Sequence, residues 1–326
     1  MQLSKPIFNI MNTNEKRLAR LKFRLKVYEK NGQAFEDFFV RVMQAHNPNF
    51  IPVKPQGRYG DRKNDGFDRT TGVYYQVYAP EDITARELET IEKLNTDFQG
   101  LYNYWHSQVC PIKEFHFVVN DKYKGVYPSL FPELEKIKKS YEVNADSFLA
   151  KNLEDIFLGL SDEAIIDVLD GFEPLPENIS APDYSVLREV VNYLNDLPYH
   201  FSAEEIPEHP DFARKIIFNK LSSGIARRLD NGRIHANDIY HYFRNNSEFA
   251  KEDLRLIFNS LYQEAVDKIP ENEDKGDEVF LYILKKATPR ETKSVVEAVL
   301  ILMAYYFEFC DIYEAPPGDA ELLTLF

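Results

Sequence analysis

Residues 59–80, YGDRKNDGFDRTTGVYYQVYAP, place Asp61, Lys63, Asp65 and Asp68 just ahead of a nearly all-apolar stretch that carries one amide, Gln76. Carboxylate and amide oxygens suit a hard divalent ion such as Mg²⁺, which keeps several of its waters. Such an ion lowers the pKa of a bound water and offsets charge building on a phosphate. A lysine beside it orients the nucleophile or steadies the transition state. If residues 69–72 close a hairpin through a two- or four-residue loop, Asp65 faces Gln76 and Lys63 faces Tyr78. All of these side chains then project from one side, within ~7 Å of each other. A three-residue loop would shift the register by one and break the arrangement. Upstream, Glu36 borders the apolar face of a helix and could lean over the hairpin as a second carboxylate. Plainer roles stay open: Asp65 before Gly66 as a turn residue, Gln76 as a backbone-satisfied amide, Glu36 as a solvated helix acid, Lys63 as surface charge. Asp61 and Asp68 read as flanking ligands or loop acids, and Arg58 and Arg62 as phosphate contacts.

The elements that must carry these residues follow from periodicity. Leu18, Leu21, Leu25 and Tyr28 predict a helix from Asn14 to about Glu29, and Phe35, Phe38, Phe39 and Val42 predict a second. Short strands are expected at 50–54, 64–68 and 73–79, with another at 114–120. Helices are expected at about 82–107, 128–141, 146–160 and 161–170. This order suggests a mixed sheet flanked by helices. The stretch GFEPLPENISAPDY, 171–184, has three prolines and no periodicity and marks a domain boundary. Beyond it every segment reads as helix, at 184–197, 209–230, 236–246, 250–268, 277–287 and 290–310, so residues 184–326 are expected to form an all-α bundle after an α/β domain at 1–175.

Composition narrows the classes. The 326 residues are 44% apolar and 14% aromatic, which argues against disorder. No apolar run approaches the ~20 residues of a membrane span, and the N-terminus lacks a signal-peptide core. The two cysteines, Cys110 and Cys310, make no metal-type spacing, and the reading is a reduced, cytoplasmic protein with structural thiols. The seven histidines show no ligand spacing, and no phosphate-binding glycine loop occurs. Net charge is −14, yet residues 1–66 hold 13 Lys+Arg against 6 Asp+Glu, while the rest hold 26 against 47. That asymmetry suggests a basic end that meets a polyanion, or else a solvated basic helix.

Glu36 on a helix, then NDG (64–66), then YYQVY (74–78) resemble the restriction-endonuclease-like fold of the PD-(D/E)XK type, in its Mrr-like branch. The resemblance implies Asp65 as metal-binding aspartate, Gln76 in place of the second acid, and Glu36 as the helix glutamate, around Mg²⁺ or Mn²⁺. The lysine expected at position 78 is a tyrosine, and Lys63 is the candidate for a migrated lysine. At the other end, FNKLSSGIARRLDNG (218–232) and VEAVLILMAYYFEFCDIYEAP (296–316) resemble the C-terminal signature of effector proteins from bacterial ABC three-component systems, the defence group related to Lamassu. Residues 114–137 and 153–174 resemble the end of the nuclease domain in the same proteins. The resemblance implies partners: an SMC-like ABC ATPase, a small middle subunit and DNA. The expectation is a Mg²⁺-dependent DNA endonuclease, homodimeric or larger since cutting both strands calls for two sites. The alternatives are a catalytically inactive nuclease fold that binds DNA or assembles the complex, and a purely structural adaptor.

Overall fold

The structure, a computed structural model, describes residues 11–55, 60–171, 175–176, 178–198, 211–246, 248–308 and 312–316. The chain divides into two compact units, residues 1–172 and 173–326.

The first unit opens with α1 (Thr13–Glu29), started by a capping box in which Asn12 and Glu15 bond each other's backbone N–H. α2 (Gly32–His46) follows after a two-residue break. A five-stranded sheet then runs in the order β1 (Phe50–Pro52), β2 (Gly66–Asp68), β3 (Val73–Tyr78), β4 (Glu114–Val119), β5 (Asn144–Leu149). The first two pairings are antiparallel and the last two parallel. Each parallel connection needs a crossover. α3 (Glu87–Leu101) supplies one, with a π-helical turn (Tyr102–His106) behind it, and α4 (Leu130–Tyr141) supplies the other. α5 (Ala150–Leu158) and α6 (Asp162–Val168) close the unit.

Alternation along β3 sorts the core into two layers. Tyr75 and Val77 meet Phe23, Phe35, Phe39, Phe148 and Phe157, beneath α1, α2, α5 and α6. Tyr74 and Tyr78 meet Leu94, Phe98, Phe115 and Leu134, beneath α3 and α4. The hairpin pairs Gly66 with Tyr75, Phe67 with Tyr74 and Asp68 with Val73, the expected register, with a four-residue turn at 69–72. Gly66 owes its identity to packing: a Cβ there would lie 2.1 Å from Cζ of the Phe50 ring.

Three expectations change. Residues 146–160 are not one helix, because 144–149 form strand β5, which sends Ala145 into one core layer and Phe148 into the other. The helix expected over 82–107 begins as a 3-10 turn (Ile83–Ala85) and ends as the π-turn. The helix expected over 209–230 is two, α8 (Phe212–Phe218) and α9 (Ser223–Arg233), preceded by α7 (Tyr184–Asn195). Lys220 breaks it with a left-handed backbone, φ 53°.

In the second unit α10 (Ala236–Asn246), α11 (Glu248–Lys268) and α12 (Lys275–Ala287) surround α13 (Lys293–Glu308). α13 is buried on all sides, with Leu300, Ile301, Leu302 and Ala304 fully enclosed, as its unbroken apolar run foretells. α9 approaches it at Gly232, where a Cβ would sit 2.8 Å from that of Ala304. The two segments quoted from this end of the sequence therefore meet. Lys215 is 1% exposed and its ammonium donates to the carbonyls of Phe307 and Ile312, at 2.6 and 2.8 Å. Asn219 bonds the backbone of Glu314 through both its amide atoms.

Candidate functional site

The C-terminal end of β1, the N-terminal end of β2 and the C-terminal end of β3 converge. The Val53 N–H donates to the Asp65 carbonyl, the Asp65 N–H donates to the Tyr75 carbonyl, and the Gly32 N–H at the start of α2 donates to the Ala79 carbonyl. Where the backbone ladder between β2 and β3 ends, the Asp65 side chain takes over: its Oδ2 accepts from the Val77 N–H at 2.5 Å.

Asp65 is the group this end of the sheet is built around. Burial pushes its carboxyl up, the Val77 N–H opposes that, and the negative charges of Glu36, Asp61 and Asp97 add to the rise, leaving it at about 7. Gln76, one step beyond the last paired residues, is 5% exposed; its amide nitrogen makes a long bond to the Val77 carbonyl, and its Oε1 is buried with no hydrogen-bond partner. Asn64 is fully buried, its Oδ1 accepting from the Gly66 N–H and its Nδ2 unpartnered. The Gln76 oxygen, near a carboxyl of raised pKa, is what a bound cation or ordered water would satisfy, while the Asn64 NH2 group, a donor, calls for an acceptor such as water.

Glu36 arrives from α2, on the layer opposite α3, and its charge is felt at Asp65. Its own carboxylate accepts from Lys54 at 3.1 Å, and Lys54 also grips Asp37 at 2.5 Å. Lys63 is not paired with Tyr78. Strand β2 starts only at Gly66, and Lys63 has a left-handed backbone, φ 65°. Its ammonium lies 2.9 Å from Asp97 of α3. Tyr78 donates its hydroxyl to Glu89 instead. Asp61 accepts from the Lys63 N–H. Asp68 is a turn-builder: burial would raise it, but bonds from Thr70, Asn47 and the Thr71 N–H hold it down at about 2. Arg62 places its guanidinium over the Tyr104 ring, 4.9 Å from the centroid, and its carbonyl accepts from the Trp105 indole. Arg58 lies outside the described residues.

Two expectations about charge change. The basic helix α1 is neither a bare phosphate surface nor simply solvated: Lys16 pairs with Asp162, Arg20 and Arg24 with the fully buried Glu154, and Lys26 with Asp170, which Arg41 also binds. Lys16, Arg20, Arg24, Lys26 and Arg41 are thus answered by acids of α5, α6 and the segment after them.

Sequence reasoning missed Asp97, Lys93 and Lys54. The signal for Asp97 was present: it sits with Thr90, Leu94 and Leu101 on the buried stripe of α3, where a carboxylate is out of place. Lys93, one turn back, pairs with its second oxygen at 2.5 Å. Among the described residues no cluster of three or more His, Cys, Asp or Glu is arranged to hold a metal, so a cation here would take few protein ligands and keep its waters.

Residues 185–314 match C-terminal domain 10 of the ABC-three component (ABC-3C) systems. The match spans the helical unit from α7 to the segment that Asn219 holds. No curated protein and no solved structure matches the chain. Among the described residues no helix is long and apolar enough to cross a membrane.

Proposed function

We propose that the chain is a subunit of an ABC-3C defence system whose first unit is a metal-dependent phosphodiesterase acting on DNA and whose helical unit docks the partner subunits. The observation that carries the catalytic half is Asp65: a carboxyl 3% exposed, raised by burial and in smaller part by the charges of Glu36, Asp61 and Asp97, and set in register with an orphaned amide oxygen. The oxygens of Asp65 and Gln76 fit Mg²⁺ or Mn²⁺, which they would hold together with water, while Glu36, on the α2 layer and engaged by Lys54, would add negative charge. When bound, the ion would supply a water of lowered pKa and charge to offset the phosphate. The chain does the rest. Val77 fixes the Asp65 carboxylate through its backbone N–H, and the tyrosine-rich strand keeps bulk water from the buried oxygens. Lys63 supplies a positive charge near the attacking water, and Arg62 lies on the same loop for contact with the phosphate backbone. A homodimer, with one site per strand, suits the cutting of duplex DNA.

The test is plasmid nicking by purified full-length protein in Mg²⁺ or Mn²⁺, with and without the products of neighbouring genes. Cleavage is expected, and Asp65→Ala should abolish it while the fold persists. Absence of nicking under every condition refutes the enzyme. A second reading, a catalytically inactive nuclease fold that binds DNA or assembles the complex around an SMC-like ATPase, draws on Tyr78 and on the lysine that already occupies Glu36. DNA binding without metal-stimulated cleavage selects it.

A further inference from the structure

The hairpin leaves one part of the proposed chemistry unfilled. Position 78 offers a tyrosine committed to Glu89, and Lys63 stands in a loop rather than a strand. Loop lysines carry about 2 kcal/mol of side-chain entropy and hold no fixed position unless something holds them. Here three features do. The loop backbone is turned left-handed at Arg62 and Lys63, and Asp61 caps the Lys63 N–H. The Lys63 stem crosses α3 at Gly100, where a Cβ would lie 3.0 Å from Lys63 Cγ. One turn away, Asp97 receives the ammonium at 2.9 Å. Asp97 is 1% exposed among Leu94, Phe98 and Leu101, a place where an apolar residue would serve the core better than a charge that must be desolvated. What meets that charge is not packing but two ammonium groups, those of Lys63 and Lys93. The Asp65 charge is felt at Lys63, so the ammonium held on α3 stands within electrostatic reach of the buried carboxyl.

We propose that Asp97 and Gly100 are the positioning residues of this site: α3 fixes the Lys63 ammonium beside Asp65, in the role left vacant at Tyr78, and Lys93 balances the second oxygen of Asp97. The inference rests on the phosphodiesterase reading and adds to it two residues of a helix that the hairpin motif does not contain.

The experiment is single-turnover cleavage of plasmid by full-length protein in Mg²⁺, with melting temperatures for every variant. Lys63→Met should slow cleavage by about 100-fold, the scale of losing one preorganised electrostatic group. Asp97→Asn keeps the size of the side chain and should slow it by about 10–100-fold, as misplacing a group by an ångström does, with DNA affinity unchanged. Gly100→Ala removes no charge and no bond, yet should lower the rate in the same direction, and Asp97→Glu should recover part of it. Wild-type rates for Asp97→Asn and Gly100→Ala overturn the proposal, whether or not Lys63→Met is active. So does a loss that follows the melting temperature alone and is not recovered by Asp97→Glu. A wild-type protein that cuts nothing is a different outcome: it refutes the phosphodiesterase reading, and this inference with it.

Discussion

A single carboxyl, Asp65, shows how one residue ties the stability of the first unit to pH. Its ordinary value is near 3.8, and in the fold it stands at about 7. Between those values the folded chain keeps a proton that the unfolded chain has released, so stability falls as pH climbs from about 4 to about 7 and levels off above. The full effect is on the order of 4 kcal/mol. Asp65→Asn keeps an oxygen for the Val77 N–H and removes the titration. The variant should melt well above wild type at pH 8 and alongside it at pH 4, measured by thermal denaturation without divalent ions. A reversed order at pH 8 would mean that the carboxylate is stabilised by something absent from this description. The residues themselves were partly legible. Asp65 and Gln76 could be paired on paper because a four-residue turn and period-two alternation fix their register. Asp97 stands out locally as a carboxylate on an apolar stripe, but its partner and that of Lys54 could not be assigned, because what selects them is the placement of α3 and of the segment after β1, which no local pattern encodes.

Among elements, the long amphipathic helices and the apolar strands were readable, since each buries a face at its own period. Strand β5 was not: Asn144–Leu149 carries Asn, Asp and Ser, and helix-like spacing runs straight through it into α5. What makes it a strand is β4, which offers a parallel edge along six residues. The charges on α1 teach the same lesson. They read as a surface for polyanions until the helix is packed on α5, where Glu154 is fully enclosed beside Arg20 and Arg24. Burial alone would raise Glu154, but its bonds to Arg24 and Arg20 outweigh that and bring it below the usual glutamate value. Removing one member of a buried ion group strands the others. Glu154→Gln should therefore destabilise the first unit by about 3 kcal/mol, read from urea denaturation. A change within about 0.5 kcal/mol, typical of exposed sites, would show that the arginines are solvated there.

At the scale of the whole molecule, the two units have different chemistries. One is an α/β layer structure with a carboxyl-centred site at one end of its sheet. The other is an acidic helical assembly wound about a single apolar helix, α13, and it is the part that matches the ABC-3C domain. Inside it α9 lies close against α13 at Gly232, where a Cβ would sit 2.8 Å from that of Ala304. Gly232→Val should push these helices apart and lower the stability of this unit by about 1–3 kcal/mol, while the cleavage proposed for the other unit, if it is measured, persists at permissive temperature. Loss of both together would mean that the units act as one. The same assembly also dictates how the protein can be handled. The Lys215 ammonium draws on a carbonyl at Ile312, past the end of the last helix, and Asn219 clasps Glu314. A stop codon placed after Glu308 would keep every helix among the described residues and still remove an acceptor from an enclosed cation, so expression clones and affinity tags should spare the polypeptide as far as Pro316.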